Sequence, residues 1–307
     1  MCGINGFNRK DKDLIEIMNT ALHNRGPDDK GVYIDHLVSL GHTRLSIIDL
    51  SPMGHQPMTN EDGSIWLTYN GEIYNFQELR NDLESKGHLF ISHTDSEVII
   101  HAYEEYGLDC LNRFNGMWAF CLYDMAKQEL ILSRDQFGIK PLYYFFDEEQ
   151  FIFSSMITGI LCHDICTSPN EKIIMDHLAF NLQDHTQQTF FKNILTLQPD
   201  KVLVYDLKKK KLEMIQWFYL DKTIKKQSSE EIKQMFIRSV ELRTISDVPV
   251  GSCLSGGIDS SAIVSILDGK LPSQFNTYSY LATGSPLDES KYIEEVGKNT
   301  NPRQCFT

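Results

Sequence analysis

Cys2 directly follows the initiator Met1 and precedes Gly3 and Ile4, so removal of Met1 would leave a thiol and an α-amine on one residue. A cysteine titrates near ~8.5 and an α-amine near ~8, so at neutral pH that amine can take the thiol proton without a neighbouring histidine. A second group lies far along the chain, where Leu254-Ser255-Gly256-Gly257-Ile258-Asp259-Ser260-Ser261 separates an apolar stretch from a helical one. Two glycines let the backbone approach an anion, the following helix turns its first amides toward it, and the serine hydroxyls add donors. The string predicts a phosphate cradle for a nucleotide. It is not the Walker loop, because no lysine follows the second glycine and the Gly-x4-Gly-Lys spacing is absent.

The elements that must hold these groups change character along the chain. From about 1 to 205 short strand-like runs dominate: Ser64 to Thr68, Met117 to Tyr123, Glu129 to Ser133, Leu142 to Phe146 and Phe151 to Ser155. Two helices interrupt them, Phe76 to Lys86 and Asp95 to Tyr106, the second with Val98, Ile99, Ala102 and Tyr106 on one face. Sheets with helices packed outside them follow. Beyond a Lys- and Ser-rich linker at 218–228, Ser228 or Ser229 caps a helix that runs through Ile232, Phe236 and Val240 to about Arg243. A buried strand over Val248 to Leu254, a helix over Ser260 to Leu267, a strand over Phe275 to Leu281 and a helix over Ser290 to Lys298 complete a parallel α/β rhythm.

With both ends in view, the chain resembles the glutamine-dependent asparagine synthetase family. The stretches that carry the resemblance stand in family order: Arg25-Gly26-Pro27-Asp28, Gly41-His42 with Arg44-Leu45-Ser46-Ile47-Ile48-Asp49, Gln56-Pro57-Met58, Asn70-Gly71-Glu72-Ile73-Tyr74-Asn75, Thr94-Asp95-Ser96-Glu97, Arg134-Asp135 and Lys140-Pro141-Leu142-Tyr143-Tyr144. The glycine loop is similar to the pyrophosphate loop of enzymes that split ATP into AMP and pyrophosphate. The resemblance implies an α+β four-layer αββα sandwich of the Ntn-hydrolase type over residues 1–217. After the linker it implies an incomplete α/β parallel-sheet domain of the ATP-pyrophosphatase type over 229–307. It implies hydrolysis of glutamine at Cys2, with the oxyanion held by the Asn70 side chain and the Gly71 amide. Arg44 would fork onto the glutamine α-carboxylate, Asp95 and Glu72 would receive its α-ammonium, and the main chain of Leu45, Ser46, Ile47 and Ile48 would complete the pocket. ATP would lie on Leu254, Ser255, Gly256, Gly257, Asp259, Ser260 and Ser261, with Tyr280 a further contact and Asp259 a ligand for Mg2+. Ammonia would then attack an ATP-activated aspartate, giving asparagine, AMP and pyrophosphate, with no organic prosthetic group.

Composition sets the bounds. The 307 residues are 41% hydrophobic and 23% charged, ordinary for about two globular domains. Net charge is 29 − 42 = −13, which repels a nucleic-acid backbone or an anionic membrane. The run Lys208 to Lys211 lies between two strand-like stretches and reads as a hairpin turn. Seven scattered cysteines argue for reduced thiols. Cys162 and Cys166 lack a second pair at zinc-finger spacing and read as buried or half-buried thiols. No apolar run reaches a membrane-spanning length, so a cytoplasmic enzyme is expected, with small-molecule partners and a homodimer compatible with the family. Asn24, Met156 and Thr158 depart from the family's pattern. About two strands cannot bury a parallel sheet on both faces. The chain is therefore expected to be a fragment or to have an ATP half that cannot work alone. Two alternatives stay open: an amidotransferase with a different carboxylate acceptor, and a chain with glutaminase activity only.

Overall fold

The computed structural model describes residues 1–221, 226–271 and 275–306. Residues 222–225, within the expected linker, lie outside the described residues. The chain forms two compact units, Met1–Asp221 and Lys222–Thr307.

In the first unit the strands are β1 (Gly3–Phe7), β2 (Asp29–Ile34), β3 (Ser39–Arg44), β4 (Met58–Thr59), β5 (Ile65–Ile73), β6 (Gly116–Asp124), β7 (Glu129–Arg134), β8 (Tyr143–Phe146), β9 (Phe151–Ser154), β10 (Ile194–Thr196), β11 (Lys201–Asp206) and β12 (Lys211–Gln216). The helices are α1 (Lys12–Ala21), α2 (Phe76–Ser85), α3 (Ser96–Tyr106), α4 (Ile157–Ile160) and α5 (Glu171–Phe180). Among the described residues two six-stranded sheets form, ordered β10-β8-β9-β1-β3-β2 and β12-β11-β7-β6-β5-β4, with antiparallel pairing throughout. Alternation along the strands sends one set of side chains inward. Ile4 and Leu40 from the first sheet meet Ala119, Cys121, Leu132 and Leu203 from the second in a dry core. On the other face of the first sheet Phe7 and Ile152 pack on Ile15 and Met18 of α1 and Ile160 of α4. On the second sheet α3 lies against β5, with α2 beside it. The order is helix, sheet, sheet, helix, the four-layer αββα arrangement.

Helix α1 adds to the two helices expected here, as does α5. Asp11 caps α1 by accepting from the Leu14 amide at 3.0 Å, and Ile15 and Met18 are fully buried. Helix α3 also differs from a one-faced helix. Every residue from Ser96 to Tyr103 is buried, whereas Tyr106 is only half-buried, because α2 and the short 3-10 segment after the helix pack on α3 as well as β5. Lys208 to Lys210 lie in the turn between paired strands β11 and β12, and Lys211 opens β12 opposite Asp206. Cys162 is half-buried but Cys166 is exposed, contrary to the paired expectation, since it sits in an irregular segment after α4. No described helix is long and apolar enough to cross a membrane.

The second unit holds α6 (Ser229–Leu242), β13 (Gly251–Cys253), α7 (Ile258–Leu267), β14 (Asn276–Ser279), α8 (Ser290–Asn299) and β15 (Arg303–Phe306). Ser228 caps α6 in a reciprocal box with Glu231. Of its apolar residues at helical spacing Val240 is buried, whereas Ile232 and Phe236 are exposed. The sheet is parallel and three-stranded, ordered β13-β14-β15, one strand more than expected. The strand expected over Val248 to Leu254 shrinks to three residues with an exposed, half-buried, exposed pattern. As an edge strand of a narrow sheet it lacks the cover that buries central parallel strands, and only Leu254 just beyond it enters the core.

Candidate functional site

Cys2 stands at the mouth of the sandwich because β1 begins at the next residue and is locked between β3 and β9. The Ile4 amide donates to Ser155 Oγ at 3.0 Å, and Arg25 Nε donates to the Cys2 carbonyl at 2.9 Å. A Cβ on Gly3 would lie 2.6 Å from Thr43 Oγ1, so no larger residue lets the strand sit this close. Cys2 Sγ rests against Leu45, 3.4 Å from its amide and 3.6 Å from its carbonyl. Burial pushes the thiol pKa up, against the pull of the Leu45 hydrogen bond and the terminal ammonium. The resting group is therefore a thiol, and a base is needed to activate it. Burial lowers the pKa of the chain's terminal ammonium, on Met1, so more of an amine at this place stands as the unprotonated free base.

The thiol opens into a cavity of about 280 Å³, a volume suited to a single amino acid. Its walls come from both sheets. Arg44, Leu45, Ile47 and Ile48 stand at and after the end of β3; Asn70, Gly71 and Glu72 belong to β5; Met117 belongs to β6; Thr94, Asp95 and Ser96 start α3. Asn70 is 1% exposed and its buried Nδ2 has no hydrogen-bond partner. Beside it, a Cβ on Gly71 would meet Met117 O at 2.3 Å, so glycine is what lets β5 run against β6 here.

Asp95 does not cap α3 with its side chain. Its Oδ2 instead accepts from Tyr69 Oη at 2.7 Å and from the Ile73 amide at 2.9 Å. Burial raises its pKa although these hydrogen bonds oppose the rise, so a cation arriving in the cavity would relieve a desolvated acid. Arg44 is partly committed. Nη1 donates to Ser51 O at 3.0 Å and Nη2 to the carbonyls of Asp49 and Ile48, which leaves at most two of its five donors for a carboxylate. The guanidinium thereby staples the 45–54 loop, and Gly54 lies so close that a Cβ would sit 1.9 Å from Nη2. Ser46 stands apart from the cavity walls, its amide donating to Asp28 Oδ2 at 2.8 Å.

Several wall residues had no role assigned from sequence, Gln56, Tyr69 and Lys140 among them. Gln56 links the site's pieces, accepting from the Tyr69 amide at 2.7 Å and donating to Ser96 Oγ at 3.1 Å. Tyr69 itself orients Asp95. Lys140 is buried, which lowers its pKa although Glu72 opposes that shift. Their signal was the presence of Gln56 and Lys140 inside stretches that match the family.

In the second unit the glycine loop joins β13 to α7. Gly256 has φ +86°, and a Cβ there would lie 2.9 Å from Tyr292 Cβ. No side chain caps the first turn of α7, so its amides face outward as an anion site requires. The serine hydroxyls are less open than expected. Ser260 and Ser261 donate to Gly257 O at 3.1 and 2.7 Å, and Ser255 Oγ lies 3.0 Å from Ser260 Oγ. Leu254 is buried, its carbonyl accepting from Ser279 Oγ at 2.7 Å, and Tyr280 is 77% exposed. Asp259 lies in the first turn of α7.

Comparison with known proteins agrees with this geometry. The glutamine amidotransferase domain family matches residues 1–218, and asparagine synthase matches 231–304. A putative glutamine-hydrolysing asparagine synthetase of Methanocaldococcus jannaschii is 40% identical over 96% of this chain and 61% of its own length. Asparagine synthetase 3 of Bacillus subtilis is 31% identical over 96% of this chain and 52% of its own length. The chain thus spans about half to three-fifths of these relatives. The solved glutamine phosphoribosylpyrophosphate amidotransferase of B. subtilis superposes with a TM-score of 0.53 at 15% identity, covering 100% of this chain and 65% of that one, a likeness of fold. With the thiol, the unpaired Asn70 donor and the amino-acid-sized cavity on an αββα sandwich, the chain belongs to the glutamine amidotransferase domain family.

Proposed function

We propose that the first unit hydrolyses glutamine at Cys2 and that the ammonia serves an ATP-dependent synthesis of asparagine from aspartate. One observation carries the reading: Cys2 and Asn70, whose Nδ2 has no hydrogen-bond partner, line one cavity of single-amino-acid size.

Once Met1 is removed, the Cys2 α-amine takes the thiol proton as Sγ attacks the side-chain amide carbon of glutamine. The carbonyl oxygen becomes an oxyanion that receives the Asn70 amide and the Gly71 N–H. The amine passes its proton to the leaving nitrogen and ammonia departs, leaving a glutamyl thioester. Water attacks that carbon through a second oxyanion, and glutamate and the thiol are released. Asp95 and Glu72 hold the substrate ammonium, while the remaining Arg44 donors and the main chain of Leu45, Ile47 and Ile48 hold its carboxylate, Ser46 being turned away to Asp28. On this reading the glutaminase occupies residues 1–217, 218–228 link it, and the ATP half begins at 229.

The loop from Leu254 to Ser261 suits phosphates through its glycines and the uncapped start of α7, with Tyr280 exposed for a base. A phosphate-borne Mg2+ needs one or two carboxylates, and Asp259 supplies one in that first turn. The ion would neutralise charge as pyrophosphate leaves. A second acceptor stays in play because an amidase, chry2, of Gibberella zeae is 31% identical over 94% of this chain and 48% of its own length.

The test is ammonia release from glutamine by the purified chain, with intact mass establishing loss of Met1. Turnover abolished in Cys2→Ala, with glutamine binding retained, is the expected result. A folded chain with an exposed N-terminal Cys2 and no turnover would overturn the reading. Adding ATP, Mg2+ and aspartate, then assaying asparagine and AMP, tests the acceptor.

A further inference from the structure

We propose that His88, His101 and Glu104 form a binding site for a divalent transition-metal ion of the Zn2+ class, separate from the glutamine cavity. Among the described residues they are the one group of three or more His, Cys, Asp or Glu side chains whose ligand atoms converge, all lying within 4.8 Å of one another. His101 and Glu104 are i and i+3 on α3 and so share a face, and His88 reaches them from the segment after α2.

Two of the three spacings approach those of a tetrahedral centre. Zn–N and Zn–O bonds of ~2.0–2.1 Å at tetrahedral angles place neighbouring ligand atoms about 3.3 Å apart. Glu104 Oε2 is 3.0 Å from His101 Nδ1 and 3.6 Å from His88 Nδ1. Two histidines and one carboxylate are a donor set zinc accepts, with a fourth position for water.

The outer partners fit as well. A metal-bound imidazole usually donates its other N–H to a carboxylate, which fixes the ring. Here His101 Nε2 lies 3.6 Å from Glu97 Oε1, and His88 Nε2 lies 3.4 Å from Glu105 Oε2. Glu104 Oε1 accepts from Asn60 Nδ2 at 2.8 Å, leaving Oε2 for the ion. Three carboxylates around two imidazoles carry an excess of negative charge that a dication neutralises.

An ion here would pin the segment after α2 onto α3. Ser92 in that segment donates to Glu97, and the chain then enters Thr94 and Asp95 of the cavity wall.

The full chain, stripped with a chelator and titrated with Zn2+ by calorimetry, is expected to bind one ion, with X-ray absorption showing nitrogen and oxygen ligands and no sulfur. His88→Ala and Glu104→Gln should each weaken binding by more than the roughly 10–100-fold that loss of an outer partner brings, and Glu105→Gln by that amount. If His88→Ala fails to fold, Glu104→Gln and the absorption spectrum of the unaltered chain decide. Zinc held through cysteine sulfur, no binding at micromolar Zn2+, or an affinity unchanged in Glu104→Gln would each overturn the site.

Discussion

Replacing Asn70 by alanine separates a catalytic role from a structural one more sharply than any other change in the cavity. The Nδ2 group is buried and makes no hydrogen bond, and an unsatisfied buried donor costs about 1–3 kcal/mol. Asn70→Ala removes that donor, and the space it leaves opens onto an existing cavity, so folding should be unchanged or improved. The β5 backbone keeps its pairing, Asn70 opposite Ala119. In the reaction the same donor meets the oxyanion twice, once as the thioester forms and once as it breaks. Losing one such donor typically lowers kcat by ~10²–10³, about 2.7–4 kcal/mol. The substrate carbonyl carries little charge before attack, so KM should move little. Steady-state ammonia release gives kcat and KM, thermal unfolding gives stability, and alkylation of Cys2 by iodoacetamide should proceed at the parent rate because the thiol is untouched. A variant whose kcat stays within about threefold of the parent, or whose activity falls only as far as its stability, would refute the assignment of this side chain to the oxyanion.

Asp95→Asn should raise the KM for glutamine by ~10–150-fold, the range expected for a hydrogen bond of about 1.5–3 kcal/mol to a charged group, read from initial rates. Its raised pKa means that the folded chain binds the proton more tightly than the unfolded one, so stability from this group is present at low pH and lost as pH rises through the folded value. Denaturant melts should accordingly show Asp95→Asn holding its stability at neutral pH. His42 has the opposite sign: burial takes it from 6.5 to about 4, so the unfolded chain binds its proton first, and stability falls by up to ~3 kcal/mol on acidification across that window. Urea melts of His42→Asn should be flatter over that range. Gly71→Ala, with its Cβ 2.3 Å from Met117 O and 2.8 Å from Trp118 Cα, should force β5 away from β6 and lower the thermal midpoint together with activity. Ser228→Ala should cost α6 about 1 kcal/mol by removing the capping box, measured by chemical denaturation.

What the sequence made legible follows from how local each signal is. The thiol at position 2, the glycines of the phosphate loop and the strand alternation from Met117 to Tyr123 are written in adjacent residues. Helix α1 was equally local, with Asp11 as cap and Ile15, Met18 and Leu22 at helical spacing, all fully buried apart from the cap. Exposed Ile17 on its other side blurs that one-faced pattern. Tyr69 and Gln56 could not be read locally. Their roles arise when β5 brings the Tyr69 hydroxyl to an acid 26 residues later and the Gln56 side chain to the Tyr69 amide. Burial in the second unit was overestimated for a related reason. Val248 to Leu254 is apolar enough for a central strand, but position in the sheet decides exposure, and β13 is at the edge.

The cavity walls come from two different sheets, which turns the thickness of the core into a gauge. The thiol rides on the first sheet at the start of β1, and Asn70 and Gly71, the proposed oxyanion donors, ride on the second in β5. The gap between them is set by side chains such as Leu40 and Leu132, packed between the layers and touching no substrate. A displacement of ~1 Å between reacting groups is enough to lose about 10²-fold in rate. Thinning that filling therefore detunes the reaction before it unfolds the protein, and the sandwich interior acts as the spacer that keeps nucleophile and anion receptor in focus.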